Sequence, residues 1–300
     1  MKFIRPTPIA TAMLISSTAP ETDYAAWASG TTYAQYAKCI LTSTHRSYES
    51  TQAANTSNDP ATDDGTWWID IGPTNRWAMF DQSVGTVTSI ATPLTVVLAP
   101  GVVVNSLALL DISGTSVTVG MLDSAGGASV YNKTYTLADA AEVIDWYGYF
   151  FEPIQSQDTL LIYDLPPYPS GRITVTLNAS TTASCGTLAV GNLIDIGKTR
   201  YGAGIGIVDY SKKDVDIFGV TSVLERAYAK MIETSMLVNN GRLNYISKQL
   251  AAVRAIPCVW VGDNDAGYSA LTAYGFYKDW SVNIAYPNYS ECSLTIEGLT

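Results

Sequence analysis

Carboxylates flank an aromatic cluster near the middle of the chain: Glu142 and Asp145 precede Trp146, Tyr147 and Tyr149, while Glu152 and Asp158 follow. Glycoside hydrolysis needs two carboxylates, one on each side of a sugar. No motif sets their separation here, and carboxylates recur throughout an acidic chain, so the pattern does not predict a glycosidase. Nucleophilic catalysis through an imidazole would fall to His45, the single histidine, and no G-x-S-x-G turn accompanies it. The alternating glycines of Tyr201-Gly202-Ala203-Gly204-Ile205-Gly206 do not open a strand-to-helix phosphate loop, and tight packing between strands is the simpler expectation. Oxygen donors cluster in the turn Asn58-Asp59-Pro60-Ala61-Thr62-Asp63-Asp64-Gly65. Calcium takes such ligands, but the spacing is not that of a helix-loop-helix site, and a solvated turn is expected. Cys39, Cys185, Cys258 and Cys292 show no C-x-x-C spacing, which argues against a zinc site, and the strand-like apolar surroundings of Cys258 and Cys292 predict buried free thiols there. The expectation is a protein without catalytic residues, cofactor or metal.

A second chemistry lies nearer the N-terminus. Between Tyr24 and Trp68, aromatic residues recur through short polar segments: Trp27, Tyr33, Tyr48, Trp67 and Trp68. An indole or phenol ring covers the flat C–H face of a sugar while nearby amides and carboxylates take its hydroxyls. The segment resembles the small chitin- and cellulose-type carbohydrate-binding modules, with Trp27, Tyr33, Tyr48, Asp59-Pro60 and Trp67-Trp68 at the motif's places and Tyr36-Ala37 where those modules carry a Gly-Asp turn. The resemblance implies glycan binding. In so small a module the same aromatics could instead supply the core or dock a partner. Of the adjacent pair Trp67-Trp68, one ring should point inward and one outward, with Tyr33 as a second platform residue.

The remaining elements must position these groups. At 300 residues, 47% hydrophobic and 15% charged, with 23 Gly and 13 Pro, the chain is globular and turn-rich. No apolar run is long enough for a membrane span. The N-terminal segment carries Lys2 and Arg5 ahead of a mildly apolar run that Pro6, Thr7, Pro8 and Thr11 interrupt, so a strand or arm is expected in place of a secretory signal. Net charge is −10, yet residues 198–254 hold nine Lys/Arg against five Asp/Glu. That excess is too small and too scattered for sequence-specific nucleic-acid binding. Lys212, Lys213, Arg226 and Lys230 are expected at a subunit interface, where charge sets register.

Four segments emerge: an arm over 1–23 packed with the C-terminal domain, the aromatic module over 24–72, a β-sandwich over 73–210 and a ring domain over 211–300. Asp70 to Phe80 reads as a linker or entry strand, broken by Pro73 and anchored by Trp77. Short β-branched runs follow, at Ser89–Leu98, Ser106–Leu110, Ser116–Met121, Val130–Leu137, Tyr147–Glu152, Thr159–Asp164, Arg172–Leu177 and Thr187–Leu193. Turn signals separate them, the pattern of an antiparallel sandwich of jelly-roll or galactose-binding type. Past residue 211, Leu243, Ile246, Leu250 and Val253 predict one amphipathic helix stopped by Pro257. Phe276, Trp280, Val282 and Ile284, then Leu294 and Ile296, alternate as in strands. Val223 to Val238 is helical by propensity, but its bounds favour a long strand.

This order of hairpin, helix and closing strands resembles the phage tail-tube and distal-tail proteins. With GPTNRWAMFD, YGFYKDWSVNIAYP and CSLTIEGL, most of residues 24–299 is similar to tail proteins of long-tailed phages that carry a carbohydrate-binding-like insertion. The resemblance implies a virion structural protein at the distal end of the tail. It would be a ring-forming baseplate or distal-tail subunit contacting copies of itself, other tail proteins and a host surface glycan. The alternative is a secreted bacterial carbohydrate-binding protein without catalysis.

Overall fold

Cys292, Leu294 and Ile296 alternate with Ser293, Thr295 and Glu297, the period that buries one face of a strand. In the computed structural model they occupy the strand Tyr289–Gly298 with the apolar set buried. The structure describes residues 1–138, 146–151, 156–263 and 270–299. It is mainly β, its ladders are antiparallel, and it divides into two units: Met1–Thr7 with Asn105–Leu107 and Ala189–Thr300, and Pro8–Val104 with Ala108–Leu188.

In the first unit, Tyr289–Gly298 pairs on one side with Tyr228–Asn239 and on the other with Thr272–Asn283. The strand Lys2–Pro6 is inserted between Cys258–Val261 and residues 191–195 of Thr182–Asp195. Tyr228–Asn239 is a strand despite its Ala, Glu, Lys and Met content. Ile232, Thr234, Met236 and Val238 are buried at every second position, and that period outweighs propensity. The helix Leu243–Ala252 follows, and its Ile246 and Leu250, with Val253, pack into a core that holds Phe3 and Trp260. The Asn239 side chain accepts from the Gly241 N–H at 2.9 Å and turns the chain toward it.

Two expectations fail in this unit. A bulge at Lys278 lets Tyr277 oppose Ile296 and Asp279 oppose Thr295, which reverses the alternation. Tyr277, not Phe276, therefore faces the core with Trp280 and Val282, while Ile284 lies exposed beyond the strand. The glycines of 201–206 do not mark tight packing either. A Cβ at Gly202 or Gly204 would meet nothing within 4 Å, whereas at Gly275 it would lie 2.1 Å from the Glu297 carbonyl oxygen.

In the second unit, Ser129–Thr136, Ser116–Leu122, Arg172–Asn178, Leu94–Leu98 and Leu14–Ser17 form a five-stranded sheet in that order. Val96, Leu98, Val117, Val119, Val175 and Leu177 fill its buried face, giving a β-sandwich-like architecture. The run Tyr147–Glu152, expected as a strand, is instead a short helix, Trp146–Phe151. Aromatic content suggested β structure, but Trp146 with Phe150 and Tyr147 with Phe151 meet at helical spacing, centroids 6.3 and 5.1 Å apart. Of the carboxylates around it, Glu142, Asp145 and Glu152 lie outside the described residues.

The aromatic module adds a sheet of Lys38–Leu41, Arg46–Ser50 and Trp68–Pro73, and a ribbon of Thr32–Tyr33 with Asn55–Thr56. The entry strand after the module is thus its closing strand, paired with Arg46–Ser50. The module lies within the second unit, and the first unit resumes at Ala189, ahead of Tyr210. Lys198–Thr199 and Gly204–Asp209 both pair with Tyr228–Asn239, which draws them into the first unit.

Candidate functional site

Tyr33, Cys39, Tyr48 and Trp68 form the module's core, with Trp27 and Trp67 half-buried against it. Tyr33 is 8% exposed and Trp68 2%; their rings meet edge to face at 5.0 Å. The Tyr33 hydroxyl accepts from the Ala28 N–H at 2.9 Å, and the Trp68 indole N–H donates to the Asn58 carbonyl at 2.9 Å. Tyr33 is therefore no platform, and Trp67 is only partly outside. So small a module has little apolar volume except its aromatics, and they are used as core. The open rings are Tyr24 and Tyr36, with Tyr36 68% exposed at a left-handed φ of 66°. Such a backbone disfavours a side chain, so Tyr36 is held open at this turn by the chain around it.

The acidic turn has a structural account. Asp63 accepts from the backbone N–H groups of Gly65, Trp67 and Trp68, Asp59 from that of Ala61, and Asp64 from Thr66. The carboxylates thus satisfy donors of a tight loop. Among the described residues no group of three or more His, Cys, Asp or Glu is placed to hold a metal ion.

The segment GPTNRWAMFD forms a junction. The Thr74 hydroxyl donates to Glu21 Oε1 at 3.0 Å, Asn75 exchanges hydrogen bonds with Ser89, and Arg76 Nε donates to the Ala19 carbonyl at 2.9 Å. Trp77 stacks on His45 with ring centroids 4.1 Å apart and planes 20° apart. His45 Nδ1 lies 2.9 Å from Glu21 Oε1, and its Nε2 lies 3.0 Å from Thr11 Oγ1. A single histidine offered no partner by spacing, since Glu21 and Thr11 stand 24 and 34 residues away.

Farther along the chain, Lys212–Val215 and Thr221–Leu224 form a separate two-stranded hairpin. Asp216 Oδ1 accepts from the N–H groups of Phe218 and Val220 at 2.8 Å and closes the turn. Ile217 and Phe218 at its tip are 94% and 84% exposed, and Val215, Val220, Val223 and Leu224 are also open. Lys213 and Arg226 are exposed, Lys212 pairs with Asp214 at 2.9 Å, and Lys230 is half-buried with Nζ donating to the Thr272 carbonyl at 2.7 Å. Three of the four expected interface cations thus lie on or beside the hairpin, and Lys212 and Lys230 are each bonded within their own chain.

All four cysteines are free and buried. Burial pushes the Cys39 thiol up to about 11 and those of Cys185 and Cys258 up to about 12. No described helix is long and apolar enough to cross a membrane. No known protein family matches this chain, and neither does any curated protein.

Proposed function

We propose that this chain is a virion structural protein of a phage tail, a ring-forming distal-tail or baseplate subunit linking the tail tube to the host-facing tip. The observation that carries the reading is the hairpin Lys212–Leu224 with its open apolar tip. Side chains as large as Ile217 and Phe218 are costly to leave in water, and a contiguous exposed apolar patch marks a contact surface. Lys213 and Arg226 rim that patch beside the Lys212–Asp214 pair, and the chain's −10 net charge gives a neighbouring copy carboxylates to meet them. Repeated head-to-tail contacts of this kind close into a ring when the rotation permits. The first unit's sheet with its packed helix Leu243–Ala252 suits the tail-tube-like fold, and the second unit suits a jelly-roll or galactose-binding scaffold. In this reading the aromatic module projects outward, and Tyr24 and Tyr36 are the rings available to a host glycan.

The test is a double substitution at the hairpin tip, Ile217→Asp with Phe218→Asp, measured by light scattering after gel filtration. Assembly should be lost while the melting temperature is kept, since neither side chain contributes to a core. An unchanged assembly would remove the hairpin from the account. A uniform monomer in the unsubstituted chain, retained on chitin or cell-wall glycan, would favour the secreted carbohydrate-binding protein.

A further inference from the structure

The junction at His45 holds a relay that a tail subunit does not need. A carboxylate, an imidazole and a hydroxyl stand in sequence: Glu21 Oε1 at 2.9 Å from Nδ1, and Nε2 at 3.0 Å from Thr11 Oγ1. An ionised carboxylate only accepts, so Glu21 places the ring proton on Nδ1 and leaves the Nε2 lone pair directed at the Thr11 hydroxyl. Glu21 is itself fixed by the Thr74 hydroxyl, and Arg76 Nη1 lies 3.8 Å from its second oxygen. The Trp77 ring stacks on the imidazole and holds its plane. His45 keeps a left-handed φ of 58°, a backbone that persists where the surroundings impose it.

The relay opens on a cleft of about 320 Å³ whose walls include Thr11, His45, Arg46, Trp77, Phe80 and Asp81. From this geometry we propose that Thr11, His45 and Glu21 form an acyl-transfer site for small neutral esters, with Thr11 as nucleophile, His45 as general base and Glu21 as its orienting carboxylate. Thr11 Oγ1 bonds to the ester carbonyl carbon while its proton passes to His45 Nε2. Arg46 lines the cleft with its Nε donating to Asp70, so it is held in place beside the relay by that ion pair. The carbon–oxygen bond to the alcohol then breaks, and the leaving oxygen takes the proton from His45. Water, deprotonated by His45, attacks the acyl-threonine, releases the acid and restores the hydroxyl. Asp81 disfavours anionic esters, and Trp77 and Phe80 offer apolar walls to a short acyl group.

The site does not depend on ring assembly, so the test uses the purified full chain with p-nitrophenyl acetate. Thr11→Ala and His45→Gln should each lower turnover about 100-fold, while Thr11→Ser retains it. Mass spectrometry of the quenched reaction should find one acetyl group on the peptide bearing Thr11, absent from Thr11→Ala. Thr11 is exposed, so Thr11→Ala folds normally and its melting temperature provides the control. Hydrolysis no faster than buffer alone, or undiminished turnover in Thr11→Ala, would overturn the proposal.

Discussion

At the scale of single residues, the aromatics of the module separate into two classes that one experiment distinguishes. Trp68→Ala removes a core ring and should cost about 3–5 kcal/mol in denaturant unfolding. Tyr36→Ala removes an open ring at a strained turn, should change stability by less than about 1 kcal/mol, and should abolish any glycan retention. Equal unfolding midpoints for the two variants would contradict the assigned burial. The residue types were legible in the sequence, and so was the inward turn of one Trp in the Trp67-Trp68 pair. Which aromatics stay open was not, because exposure follows from how a small core fills.

Thiol titration gives a second prediction at this scale. Folding raises Cys39 from 9.0 to about 11 and Cys185 and Cys258 from 9.0 to about 12 by burial. The folded state therefore holds protons that the unfolded chain releases first. This contribution to stability is fully present below pH 9 and is lost as pH rises through 11 to 12. Urea unfolding between pH 8 and 11 should show that decline, reduced in Cys39→Ala. A slope identical in the variant would contradict the assignment for Cys39.

At the scale of elements, the acidic turn is predicted to be a folding device of the module. Asp63→Ala leaves the N–H groups of Gly65, Trp67 and Trp68 without their acceptor and should cost about 1–3 kcal/mol. Asp64→Ala, which loses only contacts to Thr66, should cost less. Calorimetry of both variants with and without added calcium checks this, and a calcium-dependent rise in melting temperature would contradict the capping account. Strand periods and the helix Leu243–Ala252 were readable because their apolar residues follow 2.0 and 3.6 residue repeats. The bulge at Lys278 was hidden, since one extra residue reverses faces without any change in composition. The helix Trp146–Phe151 was hidden because aromatic residues favour strands in general while their spacing here favours a helix.

At the scale of the whole molecule, the relay Glu21–His45–Thr11 shows what spacing alone cannot reach. Residues 11, 21, 45 and 77 converge only after the arm, the module's hairpin turn and the GPTNRWAMFD segment have folded together. The hairpin Lys212–Leu224 differs in kind. Its apolar side chains find no cover within the unit that carries it, and the ring reading gives them one. The most direct measurement is therefore the mass of the purified chain by light scattering, with negative-stain microscopy of the same sample. Closed rings whose mass is a small whole multiple of 32.2 kDa are predicted. A single species at the mass of one chain, with no assembly at low salt or high concentration, would contradict the account.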